Sequence, residues 1–143
     1  MKFLFMLLFV SASLYAQEGI HAWKSIVIND KEKAWYDQSN ADSIKGGKLN
    51  VWVLQMYKPP LTAEGIKGGV FRSKILYSIN LKTAKYGIMH VIYYDANNKE
   101  MNNFKYDIDA YPESLRYSYP ITEQSILFTL IKQIFNKTGE NSN

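Results

Sequence analysis

The side chains whose types and spacing come nearest to a reactive constellation are Asp107, Asp109 and Glu113. Glycoside hydrolysis needs two carboxyl groups flanking one bond, and Asp107-Ile108-Asp109 with Glu113 nearby supplies the groups. The trio stands where a strand pattern ends, a place where acidic residues commonly make turns, so a turn role is expected of it. Two histidines, His21 and His90, are too few for a multi-histidine metal centre, and neither has a carboxylate at helical ligand spacing. His90 is expected in a strand, with a local hydrogen bond. Asp95-Ala96-Asn97-Asn98-Lys99 begins like a calcium loop, but lysine takes the third ligand place and Glu100 stands where glycine belongs. It reads as a hairpin turn. No serine occupies a Gly-x-Ser-x-Gly elbow. Ile44-Lys45-Gly46-Gly47 and Ile66-Lys67-Gly68-Gly69 repeat the same four letters, yet a phosphate cradle needs a helix start behind its glycines. Strand patterns follow both, so both are expected to be turns. No catalytic, cofactor-binding or metal-ligating residue is assigned, no cofactor is expected, and the chain reads as non-enzymatic.

Contact chemistry is better represented. The chain has 11 tyrosines, of which Tyr93, Tyr94, Tyr106, Tyr111, Tyr117 and Tyr119 crowd residues 93–119. Tyrosine combines a large apolar ring with a polar tip at low rotamer cost, which suits a protein or glycan contact surface. Half-buried strands also favour tyrosine, and both readings stay open. The candidate partner contacts are Tyr106, Tyr111, Tyr117 and Tyr119.

The elements that must position these residues centre on Phe71 to Asp107. Phe71, Ser73, Ile75, Tyr77, Ile79 and Leu81 alternate with Arg72, Lys74, Ser78 and Asn80, the period of a strand with one dry face; Leu76 is the exception. Tyr86 to Tyr94 is apolar on both sides apart from Gly87 and His90, and Glu100 to Asp107 follows the turn at Asp95. This predicts a meander with its most buried strand in the middle. Upstream, Trp23 to Ile28, Lys33 to Tyr36 and Leu49 to Tyr57 read as strands, the last stopped by Pro59-Pro60. Asp37 to Lys45 reads as loop. Downstream, Ile126, Leu127, Phe128, Leu130, Ile131, Ile134 and Phe135 fall within about 200° of helical arc. Thr122 is the expected cap, Glu123 lies in the first turn, and Gly139 is the expected stop. The prediction is a single α+β domain, an antiparallel sheet of about six strands with one C-terminal helix packed on one face.

Residues 1–16 have a different character. A lone Lys2, the apolar run Phe3 to Val10 and the small, polar close Ser13-Leu14-Tyr15-Ala16 have the layout of a cleaved secretory signal. The apolar run is about half the ~20 residues that a bilayer span requires. Residues 17–143 are then the mature domain, large enough for one core without staples. That matters because the chain has no cysteine, and hence no disulfide, in what is expected to be an oxidising compartment. A net charge of +4 spread over scattered lysines argues for a solvated surface and against a nucleic-acid partner.

Several of these features together, namely the leader, early Trp23, Val51-Trp52-Val53-Leu54 running into Pro59-Pro60, Ser73 opening the next strand, Tyr93-Tyr94-Asp95, and a terminal helix after Tyr119-Pro120, resemble the surface-adhesin protein E family of Gram-negative bacteria. The similarity spans nearly all of the mature chain. It implies a small secreted or outer-membrane protein with a mostly antiparallel sheet and a C-terminal helix, binding host matrix and plasma proteins, without enzymatic activity. Family members carry cysteines about where Leu81 and Phe135 stand here, so the resemblance implies an apolar Leu81–Phe135 contact in place of a bond. Losing a disulfide costs ~2–5 kcal/mol, and burying each of the two side chains returns ~1.5–3 kcal/mol. The leader also lacks a lipoprotein cysteine, which favours a soluble periplasmic or released protein.

The expected function is therefore an exported binding module that contacts a host matrix or plasma protein, or an envelope protein, with no integral membrane segment after signal removal. The homodimer is a compatible state. The alternatives are a periplasmic inhibitor or accessory protein docking on another envelope protein, and a hydrolase using Asp107 or Asp109.

Overall fold

The computed structural model describes residues 20–41 and 44–140. The signal-peptide expectation falls outside them. Seven strands alternate with short connections: β1 Trp23–Ile28, β2 Glu32–Asp37, β3 Lys48–Leu61, β4 Val70–Asn80, β5 Lys85–Tyr94, β6 Glu100–Lys105 and β7 Tyr119–Pro120. One-turn helices α1 (Gln38–Ala41) and α2 (Glu113–Arg116) interrupt them, and α3 (Ile126–Glu140) is the last element among the described residues. Strands β1 to β6 pair antiparallel in sequence order, and β7 returns to pair with β5. This is the expected α+β architecture.

Alternation along the strands sorts the sheet into two faces. Leu49, Val51 and Val53 point to the helical side with Ala34, Tyr36 and Ile79, and Leu127, Leu130 and Ile134 of α3 close the core over them. α3 lies towards the β1 side, where Gln133 Nε2 donates to the Ile26 carbonyl at 3.2 Å. The period read in β4 holds only in its first half: Ser73 and Ile75 are buried between half-buried Arg72, Lys74 and Leu76, and Phe71 at its start is exposed. Ser78 and Asn80, expected on the open side, are buried with Ile79 because the crossover's Tyr117 and Glu113 reach them. Gly46-Gly47 makes the expected turn, at φ +60° and +77°, whereas in the second segment the turn falls at Glu64-Gly65 and Gly68, at φ +95°, sits in a bend; side chains other than glycine are strained at these angles. The Asp95 turn is closed by its own carboxylate, which accepts the N–H groups of Asn97 and Lys99 at 2.8 and 2.9 Å.

Several boundaries differ from expectation. β3 runs on through Pro59-Pro60 to Leu61, which pairs with Val70 after the ladder slips beyond Met56. Proline removes a donor, so the strand gives up its ladder over a bulge that contains the cis Lys58–Pro59 bond and regains it at Leu61. The most buried strand of the meander is β4, not β5, because β4 lies between two long neighbours, whereas β5 has only the short β6 and β7 on its outer side. Asp37 belongs to β2, and Gln38–Ala41 form α1 where loop was expected. Thr122 does not cap α3: Ser125 Oγ accepts the Phe128 N–H at 3.2 Å, so the first turn starts three residues later. The helix also passes through Gly139.

The Leu81–Phe135 fastening is corrected as well. Leu81 packs against the core, but Phe135 is 47% exposed. One residue past Ile134, it is turned about 100° out of the Leu127–Leu130–Ile134 stripe, and the sheet covers a narrower arc than the apolar residues occupy.

Candidate functional site

Between β6 and β7 the chain crosses the end of the sheet, and this crossover carries most of the residues singled out for chemistry or contact. Tyr106 N–H donates to the Met89 carbonyl of β5 at 2.8 Å, a 3-10 turn spans Ile108–Ala110, and α2 follows. Arg116 binds the loop to itself. Its Nε donates to the Ile108 carbonyl at 3.0 Å, and Nη2 donates to those of Asp109 and Tyr111 at 3.1 and 3.0 Å. A planar, always-charged fork is suited to collecting several carbonyls at once. The loop rests on the sheet at Gly87, where a Cβ would stand 2.1 Å from the Arg116 carbonyl oxygen; no other residue type fits.

The three carboxylates are accounted for in this crossover. Asp109 pairs with Arg116 Nη1 at 3.3 Å. Glu113 meets Lys48 Nζ at 3.3 Å and accepts from Asn80 Nδ2 at 3.3 Å, tying α2 to β3 and β4. Asp107 stands exposed at the start of the 3-10 turn. Tyr117 is not a surface residue: it is 5% exposed, its hydroxyl shares a 3.2 Å hydrogen bond with Ser78 Oγ, and the Lys48 ammonium lies 5.6 Å from its ring centre. As the residue leaving α2, it turns inward and pins the loop.

The other three tyrosines come together. Tyr106, Tyr111 and Tyr119 are 50%, 57% and 53% exposed, and with Leu115 at 63% they rim an open groove of about 480 Å³ floored by Ile88, Val91 and Tyr93. Tyr119 stacks on Tyr86 with ring centres 5.4 Å apart, and Tyr86 meets Tyr77 edge-on at 5.4 Å, so the rim continues into the helical face of the sheet. Burial, reinforced by neighbouring phenols, pushes the Tyr77, Tyr86 and Tyr93 hydroxyls above the usual tyrosine range. They remain neutral and able to donate. Leu115 carried a signal that went unread: an apolar residue isolated in the polar stretch Pro112-Glu113-Ser114-Leu115-Arg116.

A second cluster lies on the opposite face and was missed. Asp37, fully buried, accepts the Ala22 N–H and the Ser39 N–H at 3.0 Å, the Ser39 hydroxyl at 2.6 Å, and His21 Nδ1 at 2.6 Å. Burial alone would raise this carboxyl, but the hydrogen bonds from Ser39, His21 and Ala22 outweigh it and hold the group at about 2. With Nδ1 engaged by Asp37, His21 Nε2 accepts from Lys74 Nζ at 3.0 Å. The rings of Trp23 and Trp52 lie 5.2 and 6.3 Å from that of His21, and Trp52 is 5.1 Å from His90. His90 shares the expected local hydrogen bond, with Asn103 Oδ1 at 2.6 Å. Sequence spacing could not reveal the cluster, because His21, Asp37 and Lys74 sit on separate segments joined only by strand pairing.

Among the described residues no three histidine, aspartate or glutamate side chains gather as a metal would require, and no helix is long and apolar enough to cross a membrane. The chain matches no family model, no curated protein and no solved structure.

Proposed function

We propose that this chain is an exported, non-enzymatic binding module that docks on a protein partner, of host or envelope origin, through the tyrosine groove. The observation that carries the reading is the rim of Tyr106, Tyr111, Leu115 and Tyr119, four large apolar side chains half or more exposed on one edge and held by a loop braced at Arg116 and Gly87. Contiguous exposed apolar surface on a braced scaffold is typical of interaction sites, and tyrosine is among the residues that dominate their energetics. The engagement of Asp109 and Glu113 in bracing that loop favours binding over hydrolysis. Export is supported by the layout of residues 1–16, and the resemblance to the protein E family points to the same class.

The test starts from the full chain expressed in a Gram-negative host. The exported fraction should carry a protein beginning at Gln17, and that protein should serve as bait for plasma, matrix and envelope extracts. A specific partner should be retained at least tenfold less by Tyr111→Ala/Leu115→Ala, and undiminished by Phe135→Ala, which removes an exposed ring elsewhere. Equal capture by the double variant, or no partner at all, would refute the groove.

A further inference from the structure

The face of the sheet away from α3 carries all three tryptophans, and α2 packs on it at the Lys48, Asn80 and Gly87 end. Strand pairing writes it as rows. Trp52, Leu76, His90 and Lys105 form one; Trp35, Leu54, Lys74, Ile92 and Asn103 the next; Lys33, Met56, Arg72, Tyr94 and Glu100 the third. Trp23 joins at the edge opposite Asp37. Four cations, Lys33, Arg72, Lys74 and Lys105, therefore alternate with indole, phenol and imidazole rings. Within these rows the acids are Glu100, at the far end, and Asp37, whose oxygens are already occupied; Glu113, beyond them, is engaged by Lys48 and Asn80.

None of the four cations forms an ion pair with a carboxylate among the described residues. Arg72 stacks its guanidinium 4.3 Å from the centre of the Tyr94 ring, and its buried Nε has no hydrogen-bond partner. An unsatisfied buried donor on a charged group is costly, and it calls for an acceptor. Lys74 stands two residues away on the same strand face, its ammonium 4.9 Å from the Trp52 ring centre and fixed by His21 at one of its three protons. The relay from Ser39 through Asp37 and His21 holds that ammonium in place before any ligand arrives, which lowers the ordering cost of binding.

We propose that this face binds an acidic saccharide, with a pyranose ring stacked on Trp52 and Trp23 and its carboxylate or sulfate held by Lys74 and Arg72. Indole faces match the axial C–H surface of a sugar ring, while Asn103 and His90 offer polar atoms at the edge of the platform. Arg72 and Lys74 are about 7 Å apart along one strand, from the ~3.3 Å rise per residue. That compact pair suits one or two anionic groups on neighbouring sugars. A single-stranded nucleic acid needs cations strung along a groove that follows its phosphates. This inference is independent of the tyrosine groove, whose rim residues Tyr106, Tyr111, Leu115 and Tyr119 belong to none of these rows.

The experiment is a tryptophan-fluorescence titration of the mature chain with a heparin-derived hexasaccharide, uncharged maltohexaose and a thymidine decanucleotide. The hexasaccharide should give a saturable change that maltohexaose and the decanucleotide do not reproduce at tenfold higher concentration. Arg72→Gln and Lys74→Gln should each weaken binding at least tenfold at unchanged circular dichroism. Lys132→Gln, which removes an equal charge from exposed α3, should leave it unchanged, as should Tyr111→Ala/Leu115→Ala. No saturable change, equal binding of either control ligand, or equal weakening by Lys132→Gln would each overturn the proposal.

Discussion

Replacing Gly87 by alanine probes the contact on which the crossover depends. The added Cβ would meet the Arg116 carbonyl oxygen at 2.1 Å, where real Cβ contacts essentially never fall below 3.0 Å, so the loop must retreat by roughly 1 Å. On open strand backbone the same exchange would stabilise by ~0.4–1 kcal/mol, through the lower entropy of the unfolded chain. Here overpacking opposes it at ~1–3 kcal/mol. If the loop yields while keeping its clamp, the net loss should be about 1–2 kcal/mol. If it detaches, buried Ile108 and Tyr117 are exposed at ~1.5–3 kcal/mol each, and the loss should reach about 3–5 kcal/mol. Urea denaturation distinguishes these outcomes by the shift in midpoint. Limited proteolysis should show new cleavage between Tyr106 and Tyr117 only in the second case. An unchanged midpoint with an unchanged proteolytic pattern would mean that the crossover does not rest on β5.

Two further predictions concern the core and the buried acid. Leu130→Ala, at a fully buried site, should cost about 2–5 kcal/mol, whereas Phe135→Ala should cost about 1 kcal/mol or less; similar urea midpoints for the two variants would refute the docking of α3. Asp37 titrates at about 2 in the folded chain against ~3.9 unfolded, so the unfolded state takes up the proton first as the solution is acidified. Its contribution, about 2–3 kcal/mol at ~1.4 kcal/mol per pKa unit, is fully present above roughly pH 5 and is lost as pH falls towards 2. The stability gap between the native chain and Asp37→Asn should therefore be widest near pH 6 and close in acid. A gap independent of pH would refute the depressed carboxyl.

What the sequence disclosed followed from its periods. Two-residue alternation in the first half of β4 and the apolar arc of α3 are local patterns, and they sufficed for the central meander, the helix and the fold class. Boundaries were weaker wherever two local rules competed. Pro59-Pro60 read as a stop because proline cannot donate, yet β3 had already outrun β2 and had few bonds to lose. Thr122 and Ser125 are equally plausible caps by type, and only the approach of Phe128 N–H distinguishes them. For the contact residues, sequence crowding brought Tyr106, Tyr111 and Tyr119 together correctly but could not show that Tyr117 turns inward towards Ser78. The His21–Asp37–Lys74 relay was invisible for a different reason: its members are joined across the sheet, and no spacing along the chain encodes that pairing.

The proline pair in β3 has a bearing on how copies of this chain behave towards one another. The last rung shared with β2 is Glu32 with Tyr57, and the ladder with β4 lapses until Leu61, so Lys58, Pro59 and Pro60 stand exposed and unpaired in a bulge with a cis Lys58–Pro59 bond. A bare tip of that kind would ordinarily template the addition of a strand from a second molecule, the first step towards sheet-to-sheet aggregation. Two of its three residues have no N–H to offer, and the third carries a charge. With its donors missing and its backbone bulged, this tip offers a second molecule little to pair with.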